Sequence, residues 1–229
     1  MSVPMAGGYG AAAGVQRQTN VIFFQLEAGT NHVPKIYRKQ EGRPRSILRS
    51  MHARLAETMT FVEEKRRELM SSFEGVDGER LCRQAAPGTW SVAQILEHLR
   101  MVESNVAQLI TKRVAKAKAA GIAEEKSTES VLPSFEPYRA TLDNAVISAP
   151  EMLLPRSDID INEALEGLES SREALRAAAV SANGLSLGEI KHTHRVLGEI
   201  DLYQWLIFVG HHEARHKKQI ERTLKSIPS

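Results

Sequence analysis

Asp201-Leu202-Tyr203-Gln204-Trp205-Leu206-Ile207-Phe208-Val209-Gly210-His211-His212-Glu213-Ala214-Arg215-His216-Lys217-Lys218-Gln219-Ile220-Glu221-Arg222-Thr223 is the stretch that decides how this chain folds. Leu202, Trp205, Val209, Ile220 and Thr223 recur at helical spacing and form one stripe of an amphipathic helix. Asp201 with Gln204 three residues later predicts a capping box at its start. His212 and His216 fall on the same stripe. Residues four apart on a helix are offset by ~40° around the axis and ~6 Å along it, so two imidazoles can converge on one point. Both should face an interior.

Three more helical patterns lie upstream. The first is predicted from about Ile47 to Phe73, with Leu48, Met51, Leu55, Thr58, Val62 and Leu69 on its stripe. The second opens on a capping box, Ser91 with Gln94, and carries Ile95, His98/Leu99, Val102, Val106 and Leu109. The third is expected to begin at Asp160, with Glu163 as reciprocal cap. It runs through Leu165, Leu168, Leu175 and Ala178 to a left-handed stop at Asn183-Gly184. Between the second and third lies a long crossover holding Pro133, Pro137, Pro150 and Pro155; loops of that length are usually partly ordered or serve a site. Four amphipathic helices with one long crossover predict an all-α four-helix bundle over residues 47–229. Residues 1–46, broken by glycine and proline, read as a loosely ordered N-terminal extension in which Val21–Phe24 could pair as a strand.

Composition narrows the function classes. The 229 residues hold 30 Lys+Arg against 28 Asp+Glu, a net charge of +2 that gives no strong field for nucleic acid. The lone cysteine, Cys82, excludes an internal disulfide framework and a multi-cysteine zinc site. No apolar run is long enough to span a bilayer and no signal peptide is evident, so a cytoplasmic protein with no membrane partner is expected.

His98 adds a third imidazole on an inward stripe. A buried polar group without a partner costs ~1–3 kcal/mol, and three would weigh heavily on a marginal fold. One shared metal removes that cost, so His98, His212 and His216 are predicted to be metal ligands. His212-Glu213-Ala214-Arg215-His216 also spells H-E-x-x-H, the zincin protease motif. Zincins take a third ligand downstream, and no histidine follows His216. A protease is not the reading.

Two segments carry a family resemblance. Thr89-Trp90-Ser91-Val92-Ala93-Gln94-Ile95-Leu96-Glu97-His98-Leu99 resembles the second-helix opening W-S-x-x-x-x-x-x-H-L of the DinB-like (DinB/YfiT-type) four-helix metalloenzymes. His194-Arg195-Val196-Leu197-Gly198 and the helix His212-Glu213-Ala214-Arg215-His216-Lys217-Lys218-Gln219-Ile220 resemble that family's H-P-x-x-G turn and final H-E-x-R-H-x-x-Q-I helix, with Arg195 in place of the usual proline. The resemblance covers about Ile47 to Ile227 and implies a divalent metal held by the three histidines. It also implies a small-molecule substrate, since known members include transferases that activate a low-molecular-weight thiol.

Three protein ligands leave a coordination position open, the mark of a catalytic and not a structural site. All-imidazole ligation suits zinc or nickel best, with iron as a third candidate. The first function reading is therefore a metal-dependent enzyme, such as a thiol S-transferase. The alternatives are a non-catalytic metal-binding bundle, stress-related or partner-binding, and a metal-dependent hydrolase. A homodimer is compatible with either. Glu213 is the candidate catalytic base, with a carboxylate supporting an imidazole and a solvated surface carboxylate as its other readings. His194 is placed at the mouth of the site or in a turn, Gln94 in a cap, and His211 at a boundary. His32 and His52 read as surface, Cys82 as a small buried residue, and Lys217, Lys218 and Arg222 as helix-end charges.

Overall fold

The computed structural model describes residues 49–144 and 148–227. The expected extension over 1–46 and its strand at 21–24 lie outside the described residues. Four long helices form the bundle: α1 (Ala53–Ser71), α3 (Val92–Ala119), α5 (Ile161–Ala182) and α6 (Leu202–Ser226). A short α2 (Gly78–Cys82) lies between the first two, and α4 (Glu136–Asn144) lies in the crossover. A hairpin, β1 (Lys191–His194) and β2 (Gly198–Asp201), precedes α6. Helix α3 packs along α5 and α1 along α6, while α3 also meets α6. No helix among the described residues is long and apolar enough to cross a membrane.

The caps are set by local chemistry. Ser91 and Gln94 make the predicted box on α3, Oγ accepting from Gln94 N at 3.2 Å and Oε1 from Ser91 N at 3.0 Å. Asp201 and Gln204 repeat it on α6, at 2.9 Å each way. The box expected at α5 is not made. Asp160 caps Asn162 N at 2.7 Å, but Glu163 reaches back instead to the Arg156 guanidinium at 2.5 Å. Helix α1 begins at Ala53, later than its pattern suggested, because Asn183 captures the preceding turn: its Oδ1 accepts from His52 N at 2.7 Å and its amide donates to Ser50 O at 3.2 Å. The left-handed stop of α5 is present, with Gly184 at φ +77°. Cys82 corrects another expectation: it is exposed, because its neighbour Leu81 takes the buried position of α2.

The core has two apolar ends. Leu55, Met59, Val62, Ile110, Leu175 and Leu206 fill one; Leu69, Phe73, Ile95, Leu96, Leu168 and Ile220 fill the other. Between them in sequence, each bundle helix contributes one charge to a buried layer: Arg66, Glu103, Arg172 and Glu213. Arg66 donates to Glu213 (2.8 Å) and Glu103 (2.8 Å), and Arg172 to Glu103 (2.6 Å) and Glu213 (2.8 Å). The remaining guanidinium donors reach backbone, Arg66 to Leu168 O and Arg172 to Val62 O. Burial pushes the Glu103 carboxyl up, but Arg172 and Arg66 together with the Ser171 hydroxyl hold it below its usual range. Two cations and two anions thus cross-tie all four helices at one level.

Candidate metal centre

The second and last bundle helices bring three imidazoles together. His98 on α3 and His212 and His216 on α6 offer ring nitrogens that all lie within 4.8 Å of one another. The His212 and His216 Nε2 atoms are 3.2 Å apart. Two nitrogens bound tetrahedrally to one ion at 2.0–2.1 Å stand about 3.3 Å apart, so this spacing fits a shared divalent cation.

The outer ring nitrogens explain the orientation. His98 donates Nδ1–H to the Leu153 carbonyl at 2.8 Å, and His216 donates Nδ1–H to Gln219 Oε1 at 2.8 Å. A carbonyl can only accept, so each ring carries its hydrogen on Nδ1 and keeps a bare lone pair on Nε2. Such partners fix the tautomer and orientation of metal-ligating histidines. Burial keeps all three rings neutral: it lowers His98, takes His216 to about 3, and, with neighbouring His216 and His98, holds His212 well below its ordinary value. A neutral imidazole is the form that ligates.

The Leu153 carbonyl arrives from the crossover, which is ordered here by a clamp on the start of α3. Glu97, buried, accepts from Arg156 N at 2.7 Å and from Arg156 Nε at 2.9 Å; Gln94 Nε2 donates to Arg156 O at 3.1 Å. Gln94 is therefore more than a cap. Leu153 itself could not be found in advance, because its backbone oxygen and not its side chain does the work. Gln219 had a sequence signal, lying three residues after His216 on the same helix face. Replacing Gln219 with leucine should weaken metal affinity about 10- to 100-fold while leaving helix content intact. Competition against a chelator would check this, and an unchanged affinity would show the hydrogen bond to be idle.

The three rings form one wall of a cavity of about 940 Å³, within reach of Trp90, Trp205 and Phe208. His192 and His194 of the hairpin also line it, but in the opposite tautomer. Arg113 donates to His192 Nδ1, and the backbone amides of Val196 and Leu197 donate to His194 Nδ1 at 3.1 and 3.2 Å. Both rings thus carry their hydrogen on Nε2 and are donors, not ligands. Burial, with Arg195 beside it, takes His194 down to about 4. Both sequence readings of His194 therefore hold, as turn residue and as cavity wall.

The structure does not bring Glu213 to this cavity. It is 1% exposed, with its carboxylate in the four-charge layer, which also excludes a solvated surface role. His211 packs on Phe61 and Phe135 as a boundary residue, and His52 is a half-buried cap of α1. His32 lies outside the described residues. Lys217 pairs with Glu221 at 3.6 Å, whereas Lys218 and Arg222, read as helix-end charges, line the cavity.

A family model for the DinB superfamily matches residues 62–220. The uncharacterised protein YuaE of Bacillus subtilis (strain 168) is 29% identical over 170 residues, covering 74% of this chain and 98% of that protein. A solved structure described as TT2238, a four-helix bundle protein, matches at 18% identity with a TM-score of 0.47, over 72% of this chain and 95% of that one.

Proposed function

The chain belongs to the DinB superfamily, and on that premise we propose that it is a divalent-metal-dependent enzyme acting on a low-molecular-weight thiol. The observation that carries the metal-enzyme reading is the set of three neutral imidazoles, two with Nε2 left bare by a partner on Nδ1, whose ring nitrogens lie within 4.8 Å of one another on the wall of a cavity of about 940 Å³. His98, His212 and His216 would hold the ion, zinc or nickel before iron. Once bound there, the ion supplies Lewis acidity that favours negative charge on a donor reaching it.

The chain's own residues do the rest. Leu153 O and Gln219 hold two of the ligating rings in register. Trp90, Trp205 and Phe208 give the cavity an apolar lining. The hairpin histidines present N–H donors without competing for the ion. Glu213 is a positioning residue in this proposal: through Arg66 and Arg172 it fixes the rotation of α6, and with it His212 and His216. Support for a thiol cosubstrate is that known members of the family the two motif segments resemble include thiol transferases.

The test is a panel of low-molecular-weight thiols with a generic electrophile, comparing the zinc-loaded wild type with His212→Ala. A thiol-dependent rate about 100-fold or more above the variant is expected, given the several kcal/mol a Lewis acid contributes. Equal rates across the panel would discard the thiol reading. Ester or amide hydrolysis retained under those conditions would favour a hydrolase in its place.

A further inference from the structure

The side chains around the cavity are unevenly charged. Arg195 from the hairpin and Arg215, Lys218 and Arg222 from α6 all line it, and none of the described lining residues is acidic. The chain as a whole nearly balances its charges, with 30 Lys+Arg against 28 Asp+Glu. A cavity whose described lining holds cations and no carboxylate is therefore not an average piece of this surface. The two hairpin histidines add N–H donors to the same wall, their tautomers imposed by donors that cannot accept. Fixed backbone contacts hold part of the array in place: Arg215 donates to Leu142 O, and Arg195 donates to Ser148 O at 3.3 Å. A bound divalent cation would raise the positive potential further. The lining also has apolar members, among them Trp90, Trp205 and Leu109.

We infer that the ligand of this cavity is a small organic anion bearing at least one carboxylate. Its carboxylate meets Arg195, assisted by the hairpin N–H groups, or Arg222, while its apolar body lies against the aromatic side chains of the wall. This deepens the proposed function, since it assigns the charge class of the molecule that approaches the metal position. It rests on that reading only for the identity of the site. A guanidinium meeting a carboxylate makes charge-assisted hydrogen bonds, which neutral analogues cannot reproduce. A cavity of this size matches small-molecule sites in general.

Both tryptophans of the chain line the cavity, so intrinsic fluorescence reports its occupation directly. The experiment titrates the full chain, with and without zinc, with benzylsuccinate and with its uncharged diamide, reading fluorescence and calorimetric heat. Benzylsuccinate should bind about tenfold or more tighter than the diamide, and that advantage should shrink as salt is raised. Replacing Arg195 and Arg222 together by glutamine should remove the advantage without altering zinc stoichiometry or the diamide's affinity. Equal binding of acid and diamide, no saturable binding of the acid, or an advantage untouched by the double substitution would each overturn the inference. Should the double variant fail to fold, the wild-type comparison and its salt dependence still decide. Neither probe carries a thiol, so failure of the thiol reading leaves this result standing. Failure of the metal reading would show instead as indifference to zinc.

Discussion

His98→Ala strips the protein of metal as completely as His216→Ala, although the two residues are on different helices and far apart in the chain. About one divalent ion per chain is expected in the wild type and close to none in either variant, because two imidazoles and solvent cannot complete the site. Metal bound only to the native state also stabilises it, by an amount that grows with ligand concentration. Added zinc should therefore raise the melting temperature of the wild type and leave both variants unmoved. Without metal, His98→Ala should fold normally, since it removes a buried polar ring whose main internal partner is one carbonyl, Leu153 O. Elemental analysis and thermal melts with and without zinc check both parts. Metal retained by His98→Ala would confine the site to α6 and remove the second helix from it.

Arg172→Met should be the most damaging single change away from the metal. Arg172 is fully buried and donates to Glu103, to Glu213 and to the Val62 carbonyl. Removing it leaves two buried carboxylates with Arg66 as the one cation of the layer. Breaking a buried charge pair from one side costs about 3–5 kcal/mol, which in a domain of this size lowers the melting temperature by about 10 °C. The direction with pH follows from Glu103, whose carboxyl is held below its unfolded value despite burial. That contribution is present above the unfolded carboxylate range and is lost as pH falls through the lowered folded value. Acid should therefore cost the wild type more stability than it costs Arg172→Met. Pairing Arg172→Met with Glu103→Leu should restore part of the loss, because a charge is then no longer stranded. Thermal melts across acid pH measure all of this, and an Arg172→Met melt equal to wild type would show that the layer contributes nothing to the bundle.

The bundle was legible because its signals are local and periodic. Apolar stripes and two of the three predicted capping boxes depend only on neighbours within a helical turn, and they placed the starts of α3 and α6 to the residue. The box at Asp160 failed because a residue from the crossover, Arg156, competes for Glu163, and tertiary competition leaves no local trace. The three histidines were legible for the same periodic reason: their polarity interrupted stripes that were otherwise apolar. Arg66, Glu103, Arg172 and Glu213 carry that signal too, one interruption on each helix. The four-charge layer is legible only by asking what lies opposite Glu213, whose place beside His212 suggests a base, an imidazole acceptor or a solvated carboxylate instead. The hairpin and the Leu153 carbonyl were out of reach. A four-residue strand carries little periodicity, and a backbone oxygen has no residue type to betray it. The cationic lining was hidden by its dispersal, since Arg195 comes from the hairpin and shares a cavity with Arg215, Lys218 and Arg222 only in three dimensions.

Metal stoichiometry of the full chain tests the central claim most directly. The purified protein is stripped with chelator, dialysed against zinc or nickel, freed of excess ion and analysed for bound metal per chain. Three neutral imidazoles directed at one point predict about one ion per chain, with one exogenous ligand completing the site. No metal in the purified protein and no uptake from either ion would contradict the account at its root.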